Sequence, residues 1–411
     1  MRLYKILFNP CHYIYDSNAG SEPSWAFNIA HRLSLKYKNN VIVTGKINDK
    51  IQKFPYTIIE LQKNKSNLDL SLKNAIIFNW QYFLETLKQT KNDKFDILHH
   101  VLPFGIDNTF NIFILLNSFF KKIKIKFIIG PIQSPLTYQD SDLDISDIKS
   151  GKFAKKKFIN FEVLIQKSLK PILTFLSQKT FKKADKIIVI NEYTKNILLE
   201  KFIPEERIVI ISPGIDIKKF VSKPEEKKEC VEFITAGYLL KRKGMDVILA
   251  ALEKIVKTKK NIVYHIVGNG PQRENLETMV INRGLKNYVV FHGFIPNSEI
   301  QSLYHKADVF VSMSRSESWG QMYLEAMACG LPIISSKNVG SNEIIKDGEF
   351  GFLVRQENVD DLVKKMEYFI KNRGKIKLFG KKARKEVEDK YDWDTIIIPK
   401  YEKIYQELLN Q

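Results

Sequence analysis

The sequence predicts an α/β protein of two domains, each a parallel sheet wrapped by helices. Three observations carry this prediction. Short runs rich in β-branched residues alternate with helix-length amphipathic segments along the whole chain. The chain has 411 residues, which is more than one hydrophobic core usually organises. The alternation breaks at a lysine- and glutamate-rich stretch, Lys218–Lys228, and then starts again, so this stretch is predicted to link the domains.

Predicted strands alternate with helical segments such as Pro23–Lys38 and Gln81–Lys88. In the first half the strands are Leu3–Phe8, Val41–Thr44, Asp96–His100, Lys124–Ile129, Lys186–Ile190 and Arg207–Ile211. In the second half they are Val231–Thr235, Val263–Val267, Val289–His292, Val309–Ser312 and Pro332–Ser335. The pattern predicts two Rossmann-like domains in series, with a ligand cleft between them at the carboxyl ends of the strands.

The cysteine spacing and the lack of long apolar runs indicate which kind of protein and which compartment to expect. The cysteines Cys11, Cys230 and Cys329 have neither paired nor metal-ligand spacing, which argues against a disulfide framework or a zinc site and for a reducing compartment. The opening strand-like run is too short and interrupted for a secretory signal, and no run approaches about 18 apolar residues. A cytoplasmic protein is expected, with membrane contact, if any, at the surface.

The formal net charge is +19, and the excess is mostly lysine. Two interpretations stay open: a solvated lysine-rich surface, or an anionic partner such as a nucleotide, an acidic lipid or an acidic glycan. The segment Lys152–Lys183 interleaves clustered lysines with large apolar residues. Such a segment can lie on an anionic bilayer, or it can be a helix pair whose apolar face packs on the core.

The most informative passage of the second half is Ser314–Pro332. A strand is predicted to run into a polar turn, followed by a helix that begins near Gly320 and ends at Gly330. Such a junction exposes backbone N–H groups at the positive end of a helix dipole, which suits a phosphate. Glu317 lies in the turn and Glu325 inside the helix. Carboxylates there can bind a sugar and a ribose, respectively, or they can be ordinary acids at a helix start.

Other strand ends in this half carry compatible features. Arg242 and Lys243 follow the first strand, where they are placed to neutralise a diphosphate. Gly268-Asn-Gly-Pro271 and His292-Gly-Phe-Ile295 end two further strands with turns that let backbone approach a ligand. One glycine turn is weak evidence, but four such strand ends predict a single cleft.

The order of these motifs resembles the C-terminal domain of retaining glycosyltransferases of family 4, which have the GT-B fold. The resemblance rests on an E-x7-E element and its surroundings: Gly237–Gly244, Gly268–Pro271, His292-Gly293, Ala307–Val311, Glu317–Glu325, Gly330–Pro332 and Gly348–Phe352. It is strong after Pro204 and looser before it. One departure is Tyr238, where the family often has an arginine that partners the lysine here numbered 243; Arg242 is the available substitute.

The resemblance implies a role for each motif residue. Glu325 would hold the ribose of a nucleotide sugar and Glu317 the sugar, with Lys243 and Arg242 at the diphosphate. The backbone of Trp319, Gly320 and Gln321 would also bind the diphosphate, and Gly237, Gly268, Phe294 and Ile295 would complete the donor site. Such enzymes retain the anomeric configuration and need no bound metal or other cofactor, because cations and a helix start stabilise the leaving group.

In the first half the resemblance is local. Gly20, within Asn18–Pro23, corresponds to a glycine-containing loop that closes on the donor phosphates. His99 and His100 end a predicted strand, where the family has a histidine beside the reacting sugar. His99 matches the first histidine of a D-x-x-H-x-H pattern, and Val101 occupies the second histidine's position. Which imidazole faces the site is therefore left open.

The resulting expectation is transfer of a hexose or hexosamine from a UDP- or GDP-sugar, the former favoured, to a glycan or lipid-linked acceptor, in polysaccharide or glycolipid synthesis at the cytoplasmic face of a membrane. Residues 1–213 would form the acceptor-side domain, 214–391 the donor domain, and 392–411 a helix returning to the first domain. Nucleic acid is not expected as a partner. The alternatives are a GT-B-fold sugar-nucleotide epimerase and a non-catalytic protein that binds glycans or polyanions.

Overall fold

The structure is a computed structural model that describes residues 4–12, 14–16, 21–37, 39–48, 54–61, 72–101, 106, 109–116, 124–135, 171–222 and 229–410. Its internal contacts divide the chain into two compact units. Unit 1 comprises Met1–Pro135, Ala154–Pro213 and Trp393–Gln411, and unit 2 comprises Leu136–Phe153 and Gly214–Asp392.

Unit 1 is an α/β unit whose described strands form a parallel sheet of seven in the order β5-β3-β1-β6-β7-β8-β9, with a short β2-β4 pair beside it. The strands are β1 Ile6–Cys11, β2 Ile14–Tyr15, β3 Val41–Thr44, β4 Lys46–Ile47, β5 Thr57–Glu60, β6 Ile97–Val101, β7 Lys126–Ile132, β8 Lys186–Val189 and β9 Ile208–Ile210. The helices are α1 Ser21–Lys36, α2 Leu72–Asn92, α3 Ile112–Leu116 and α4 Glu192–Glu200; residues 171–183 are helical and Glu205–Arg207 form a 3-10 turn.

The sheet of unit 1 is buried because its central strands are almost wholly apolar. All described residues of β1 and β6 are buried, and in β7 only the first residue is partly exposed. Continuous apolar runs of this kind are typical of parallel strands covered on both faces. One face packs against α2 and α3 through Phe78, Tyr82, Phe83 and Phe113.

Unit 2 has a second parallel sheet, of six described strands in the order β12-β11-β10-β13-β14-β15. The strands are β10 Val231–Ala236, β11 Ile262–Val267, β12 Val289–Gly293, β13 Val309–Ser312, β14 Ile333–Ser336 and β15 Gly351–Val354. The helices are α5 Met245–Ile255, α6 Arg273–Asn282, α7 Gln301–Lys306, α8 Gln321–Ala328, α9 Val339–Ile344, α10 Val359–Lys371 and α11 Arg373–Lys390, with a 3-10 turn at Lys241–Lys243. The order changes direction at β10 and β13, so the loops after these strands open a crevice at the carboxyl edge.

The C-terminal segment belongs to unit 1. A π turn, Trp393–Ile397, leads into α12, Ile398–Leu409. On one side of α12, Glu402 accepts hydrogen bonds from Lys36 Nζ at 2.7 Å and Tyr37 Oη at 3.1 Å. Tyr405 is fully buried. The last helix is therefore an integral part of the first unit's core.

The predicted elements differ from the structure in several places. The first strand is Ile6–Cys11 rather than Leu3–Phe8, and the helix predicted at Gln81–Lys88 extends over the whole of α2. Four of the described strands, β2, β4, β5 and β15, were not predicted. β5 has only exposed or partly exposed residues and pairs at the edge of its sheet, so its sequence lacks the buried apolar run used to find the others. Linker residues 223–228 and residues 152–170 of the basic segment lie outside the described residues.

Candidate functional site

Glycines allow neighbouring strand ends of unit 2 to approach one another. Gly237 follows β10 with a φ of 149°, Gly268 follows β11 with a φ of 129°, and Gly293 ends β12 with a φ of 72°. A Cβ on Gly268 would lie 1.9 Å from the carbonyl oxygen of Gly237, and the Gly268 N–H donates to Gly293 O at 2.7 Å. Only glycine fits this backbone, which brings three loops to one edge of the sheet.

Gly268→Ala is expected to destabilise unit 2 by more than about 2 kcal/mol, because the added Cβ meets backbone and the φ is unfavourable for alanine. Gly374→Ala is the matched control, since a Cβ there meets nothing within 4 Å and φ is not in the left-handed region. Urea denaturation of both variants measures the difference. Equal stability of Gly268→Ala and wild type would contradict the close approach.

Lys243 and Glu317 form an ion pair at this edge. Lys243 lies in the 3-10 turn after β10 and Glu317 in the loop after β13, and Nζ donates to Oε2 at 2.5 Å. Arg242 Nη1 lies 3.9 Å from the same oxygen and donates to Ser316 O at 3.1 Å. The Lys243 and Glu317 side chains are 11% and 12% exposed, so the pair is nearly enclosed but reachable. Two cations thus share one carboxylate.

The helix start beside this pair has the expected form. Gly320 precedes α8 with a φ of 91°, and a Cβ on it would lie 3.3 Å from Glu317 Cγ and 2.5 Å from the Tyr323 ring. The N-cap position is this glycine, which provides no side-chain cap for the first turn of α8. Gln321 Nε2 donates to Gly214 O at 3.0 Å. The first-turn N–H groups of α8 therefore begin next to Glu317, as the sequence predicts.

Trp319 anchors this loop within unit 2. Its side chain is 1% exposed and its ring lies 5.8 Å from that of Tyr391. A Cβ on Gly340 would lie 2.2 Å from Trp319 O, so the start of α9 packs directly on this residue. Trp319 Nε1 is buried and has no hydrogen-bond partner within the part of the chain that the structure describes. The tryptophan side chain is packed in the unit, and only its backbone is left for the predicted role.

Glu325 lies in a separate, more enclosed part of the edge. Its side chain accepts hydrogen bonds from Asn297 Nδ2 at 3.0 Å and Tyr304 Oη at 2.9 Å. Lys219 Nζ donates to Asn297 Oδ1 at 2.6 Å. Burial raises the pKa of Glu325 above its usual value, whereas the bonds from Tyr304 and Asn297 and the charge of Lys219 act to lower it. The residue is 7% exposed.

Phe294 and Ile295 connect the two parts of the site. They follow β12, between Gly293, which bonds to Gly268, and Asn297, which bonds to Glu325. Phe294 is 76% exposed and Ile295 is partly buried. The predicted donor residues of unit 2 therefore follow one another along a continuous edge of the sheet. Gly20 lies outside the described residues.

The two histidines of unit 1 lie at the end of β6. His99 Nδ1 bonds to Tyr405 Oη at 2.7 Å and Nε2 to Gly130 O at 3.0 Å, and the residue has no exposed surface. Because a carbonyl only accepts, Nε2 carries the proton and Nδ1 accepts from the tyrosine. His100 Nδ1 accepts from Asn111 Nδ2 at 3.2 Å, and its buried Nε2 has no hydrogen-bond partner among the described residues. Burial lowers the pKa of each histidine to about 3.

These histidines predict a loss of stability in acid. Each folded-state pKa lies below the unfolded value of 6.5, so the unfolded chain takes up a proton first. The stabilisation is therefore complete above pH 6.5 and is lost as pH falls towards 3, by about 2 kcal/mol per histidine between pH 7 and pH 5. Denaturation at both pH values measures it. The loss should be smaller in His99→Gln; an identical loss in this variant would contradict the assignment.

Sequence reasoning missed several residues that hold the site. Asn297 and Tyr304 contact Glu325 from positions 28 and 21 residues away in the chain, and no local pattern marks such partners. Arg315 lies within the predicted passage but was not singled out. Among the described residues, no group of three or more His, Cys, Asp or Glu side chains is arranged to hold a metal ion.

Two protein-family models match the chain. The model described as Glycosyl transferases group 1 matches residues 216–386, and Glycosyltransferase Family 4 matches residues 160–219. The first match contains Gly237, Arg242, Lys243, Gly268, Phe294, Glu317 and Glu325.

Curated relatives are similar over part of the chain. An uncharacterized glycosyltransferase of Methanocaldococcus jannaschii is 28% identical over 63% of this chain and 70% of its own length. A GDP-mannose-dependent alpha-(1-6)-phosphatidylinositol monomannoside mannosyltransferase of Mycolicibacterium smegmatis is 26% identical over 56% of this chain and 64% of its own length.

Solved structures are similar over the whole fold. Sucrose-phosphate synthase from Thermosynechococcus elongatus has a TM-score of 0.71 at 17% identity and covers 100% of both chains. Anabaena HepE in complex with UDP has a TM-score of 0.70 at 14% identity, covering 98% of this chain and 100% of its own. The chain has the GT-B fold: two α/β domains with open parallel sheets.

Proposed function

We propose that this chain, which its family matches and fold identify as a GT-B glycosyltransferase of the GT4 type, moves a hexose or hexosamine from a nucleotide sugar to a glycan or lipid-linked acceptor with retention of configuration. The observation that carries the proposal is the Lys243–Glu317 pair beside the start of α8, with Arg242 3.9 Å from the same carboxylate. Two cations and one anion leave a positive charge at a helix start, which suits a diphosphate.

The charge arrangement explains how the leaving group is stabilised. As the bond from the anomeric carbon to the donor phosphate breaks, negative charge develops on the diphosphate. Lys243, Arg242 and the first-turn N–H groups of α8 are proposed to bind that charge, and we propose that no metal ion is required. Glu317, freed from part of its pairing with Lys243, accepts hydrogen bonds from hydroxyls of the transferred sugar.

The proposed substitution takes place on one face of the sugar. The acceptor oxygen forms a bond to the anomeric carbon on the side from which the phosphate leaves. The acceptor hydroxyl proton passes to an oxygen of the departing diphosphate. This step balances without a further co-reactant, and it retains the anomeric configuration.

Glu325 is proposed to bind the ribose of the donor. Its two oxygens accept one hydrogen bond each from Asn297 and Tyr304, and a carboxylate has about four acceptor positions. Two ribose hydroxyls can therefore be added without loss of the existing bonds. Gly268 and Phe294, at the same edge, would lie beside the base, where a small residue and an exposed ring leave room for it.

A donor screen tests the proposal. The mannosyltransferase relative is named for GDP-mannose and the HepE structure contains UDP, so UDP-, GDP- and ADP-sugars are compared by thermal shift and by hydrolysis. We expect one UDP- or GDP-sugar to stabilise the protein and to be hydrolysed slowly, with and without EDTA. Interconversion of donor sugars without an acceptor would indicate an epimerase. No stabilisation and no hydrolysis by any donor would overturn the proposal.

A surface of unit 1 supports a membrane-associated acceptor. On α2 the side chains of Ile77, Trp80 and Leu84 are 41%, 52% and 49% exposed, and Lys88 and Lys91 continue the same line. Spacings of three and four residues place all five on one helix face. Among the described helices, none is long and apolar enough to cross a bilayer.

The helix at 171–183 repeats this arrangement. Ile172 and Phe175 are 53% and 56% exposed, and the exposed Lys179 and Lys182 follow at helical spacing. This helix and α2 both contribute buried residues to the apolar cluster on one face of the seven-stranded sheet. The exposed apolar and basic residues of the two helices therefore lie on the same side of unit 1. We propose that this apolar and basic surface lies on a membrane with anionic lipids.

Flotation with vesicles tests the membrane proposal. The protein is expected to bind phosphatidylglycerol-containing vesicles and not pure phosphatidylcholine vesicles. Leu84→Glu should weaken binding about tenfold or more, and Leu378→Glu in unit 2, at a leucine of similar exposure, should not. Equal binding of both variants would show that this surface is not the contact.

A further inference from the structure

Arg315 lies in the loop after β13, two residues before Glu317, and its side chain is 11% exposed. It lies within the predicted passage Ser314–Pro332, but its ion pairs are made with carboxylates other than Glu317. Its side chain instead reaches two other loops at the carboxyl edge of the sheet. These are the segment after β10, with Lys241 in the 3-10 turn and Asp246 in the first turn of α5, and the loop that follows β15.

The guanidinium is bonded on all sides. Nη1 and Nη2 donate to the two carboxylate oxygens of Asp246 at 3.1 and 2.8 Å, and Nη1 also donates to Lys241 O. Nη2 and Nε face the carboxylate of Glu357 at 3.0 and 2.7 Å. A planar fork with five N–H donors can bind two carboxylates and a carbonyl at once, which a lysine ammonium on a flexible stem cannot reproduce.

The main chain of Arg315 is fixed in the same way. Its N–H donates to Arg242 O at 2.7 Å, and Gln356 Nε2 donates to its carbonyl at 3.0 Å. Arg242 in turn donates to Ser316 O at 3.1 Å. The backbone of Arg242 is thus bonded directly to that of Arg315. Lys243 is the next residue after Arg242, and Glu317 lies two residues after Arg315.

The charges around Arg315 differ from those around Lys243. Arg315 has two carboxylate partners, Asp246 and Glu357, so its charge is neutralised inside unit 2. Lys243 and Arg242 share the single carboxylate of Glu317. An incoming diphosphate is therefore drawn to Lys243 and Arg242 and not to Arg315.

We propose that Arg315 is a positioning residue, which fastens the loops after β10, β13 and β15 together so that Lys243 and Glu317 meet in the geometry that transfer requires. The expected effect of Arg315 on turnover rests on the proposed function. The contacts by which Arg315 holds the loops together do not depend on that function. Arg315 contacts neither donor nor acceptor in this account.

The test combines a double-mutant cycle with an exchange measurement that needs no activity. Arg315→Lys is expected to lower kcat about tenfold while changing the donor KM less than threefold, because the loops are less ordered but the nucleoside side near Glu325 is untouched. In the Lys243→Ala background the same change should lower kcat less than twofold, because the contact between Lys243 and Glu317 that Arg315 positions is already lost. Arg355→Lys, at an exposed ion pair with Asp361, is the control and should have wild-type kinetics.

Hydrogen–deuterium exchange of the unliganded proteins tests, without any activity measurement, whether Arg315 holds these loops together. Arg315→Lys should speed exchange in residues 241–246 and 314–320 at least fivefold, and Arg355→Lys should not. If wild type transfers no sugar but exchange rises as expected, the fastening stands and the proposed function falls. If Arg315→Lys lowers kcat equally in both backgrounds, or leaves exchange in these residues unchanged, the positioning role is overturned.

Discussion

Replacing Lys243 with alanine is expected to lower kcat about 100-fold or more, the scale of losing one donor that stabilises developing negative charge. Lys243 is 11% exposed and its ammonium lies 2.5 Å from Glu317, at the start of α8. The substitution removes a charge from a site with little water to replace it. Steady-state kinetics at saturating donor measure the effect.

Lys254→Ala is the matched control for this variant. Lys254 lies in unit 2 and also forms an ion pair, with Asp360 at 2.7 Å, but it is 52% exposed on α5. Wild-type turnover is expected for Lys254→Ala, because exposed ion pairs contribute little. Near-normal turnover of Lys243→Ala would mean that the diphosphate is stabilised elsewhere.

Replacing Glu317 with glutamine should lower kcat/KM about 100-fold, because the amide keeps the shape of the side chain but removes the charge that strengthens its hydrogen bonds to the sugar. The loss should fall mostly on kcat if those bonds strengthen as the sugar leaves the phosphate. The variant also removes the anion shared by Lys243 and Arg242. Binding of the free nucleoside diphosphate is therefore expected to be unchanged or tighter.

Glu367→Gln controls for the loss of a lysine-paired carboxylate. Glu367 bonds to Lys371 at 2.6 Å on α10, away from the strand ends. Its variant should keep wild-type kcat/KM within twofold. If Glu317→Gln loses affinity for the nucleoside diphosphate as strongly as it loses turnover, then Glu317 binds the nucleotide rather than the sugar.

The fold class and much of unit 2 could be predicted from the sequence, because strands, helices and turns are indicated by residues that are neighbours in the chain. Alternating β-branched and amphipathic segments mark a parallel sheet wherever the strands are buried, as in β10 and β13. Gly320 and Gly330 delimit α8 by backbone conformation, which a sequence shows directly. Helix boundaries near polar residues were predicted less accurately, and the edge strand β5 was not predicted.

Partners across the chain could not be predicted in this way. Asn297 and Tyr304 donate hydrogen bonds to Glu325 on α8, and Arg315 forms ion pairs with Asp246 and Glu357, so each acts through a residue that is distant in the chain. The assignment of His99 and His100 to catalysis stays a prediction. Their burial and the bonds of His99 to Tyr405 and Gly130 come from α12 and β7, and the sequence near β6 gives no sign of either contact.

The most direct test of the central claim is a hydrogen-exchange footprint of the wild-type protein with UDP and with GDP. If the carboxyl edge of the second sheet binds the donor, one nucleotide should slow exchange at least fivefold in residues 237–244 and 314–325, and α10 and α11 should be unaffected. Slower exchange confined to other parts of the chain, or no change with either nucleotide, would contradict the assignment of Lys243, Glu317 and Glu325 to a nucleotide-sugar site.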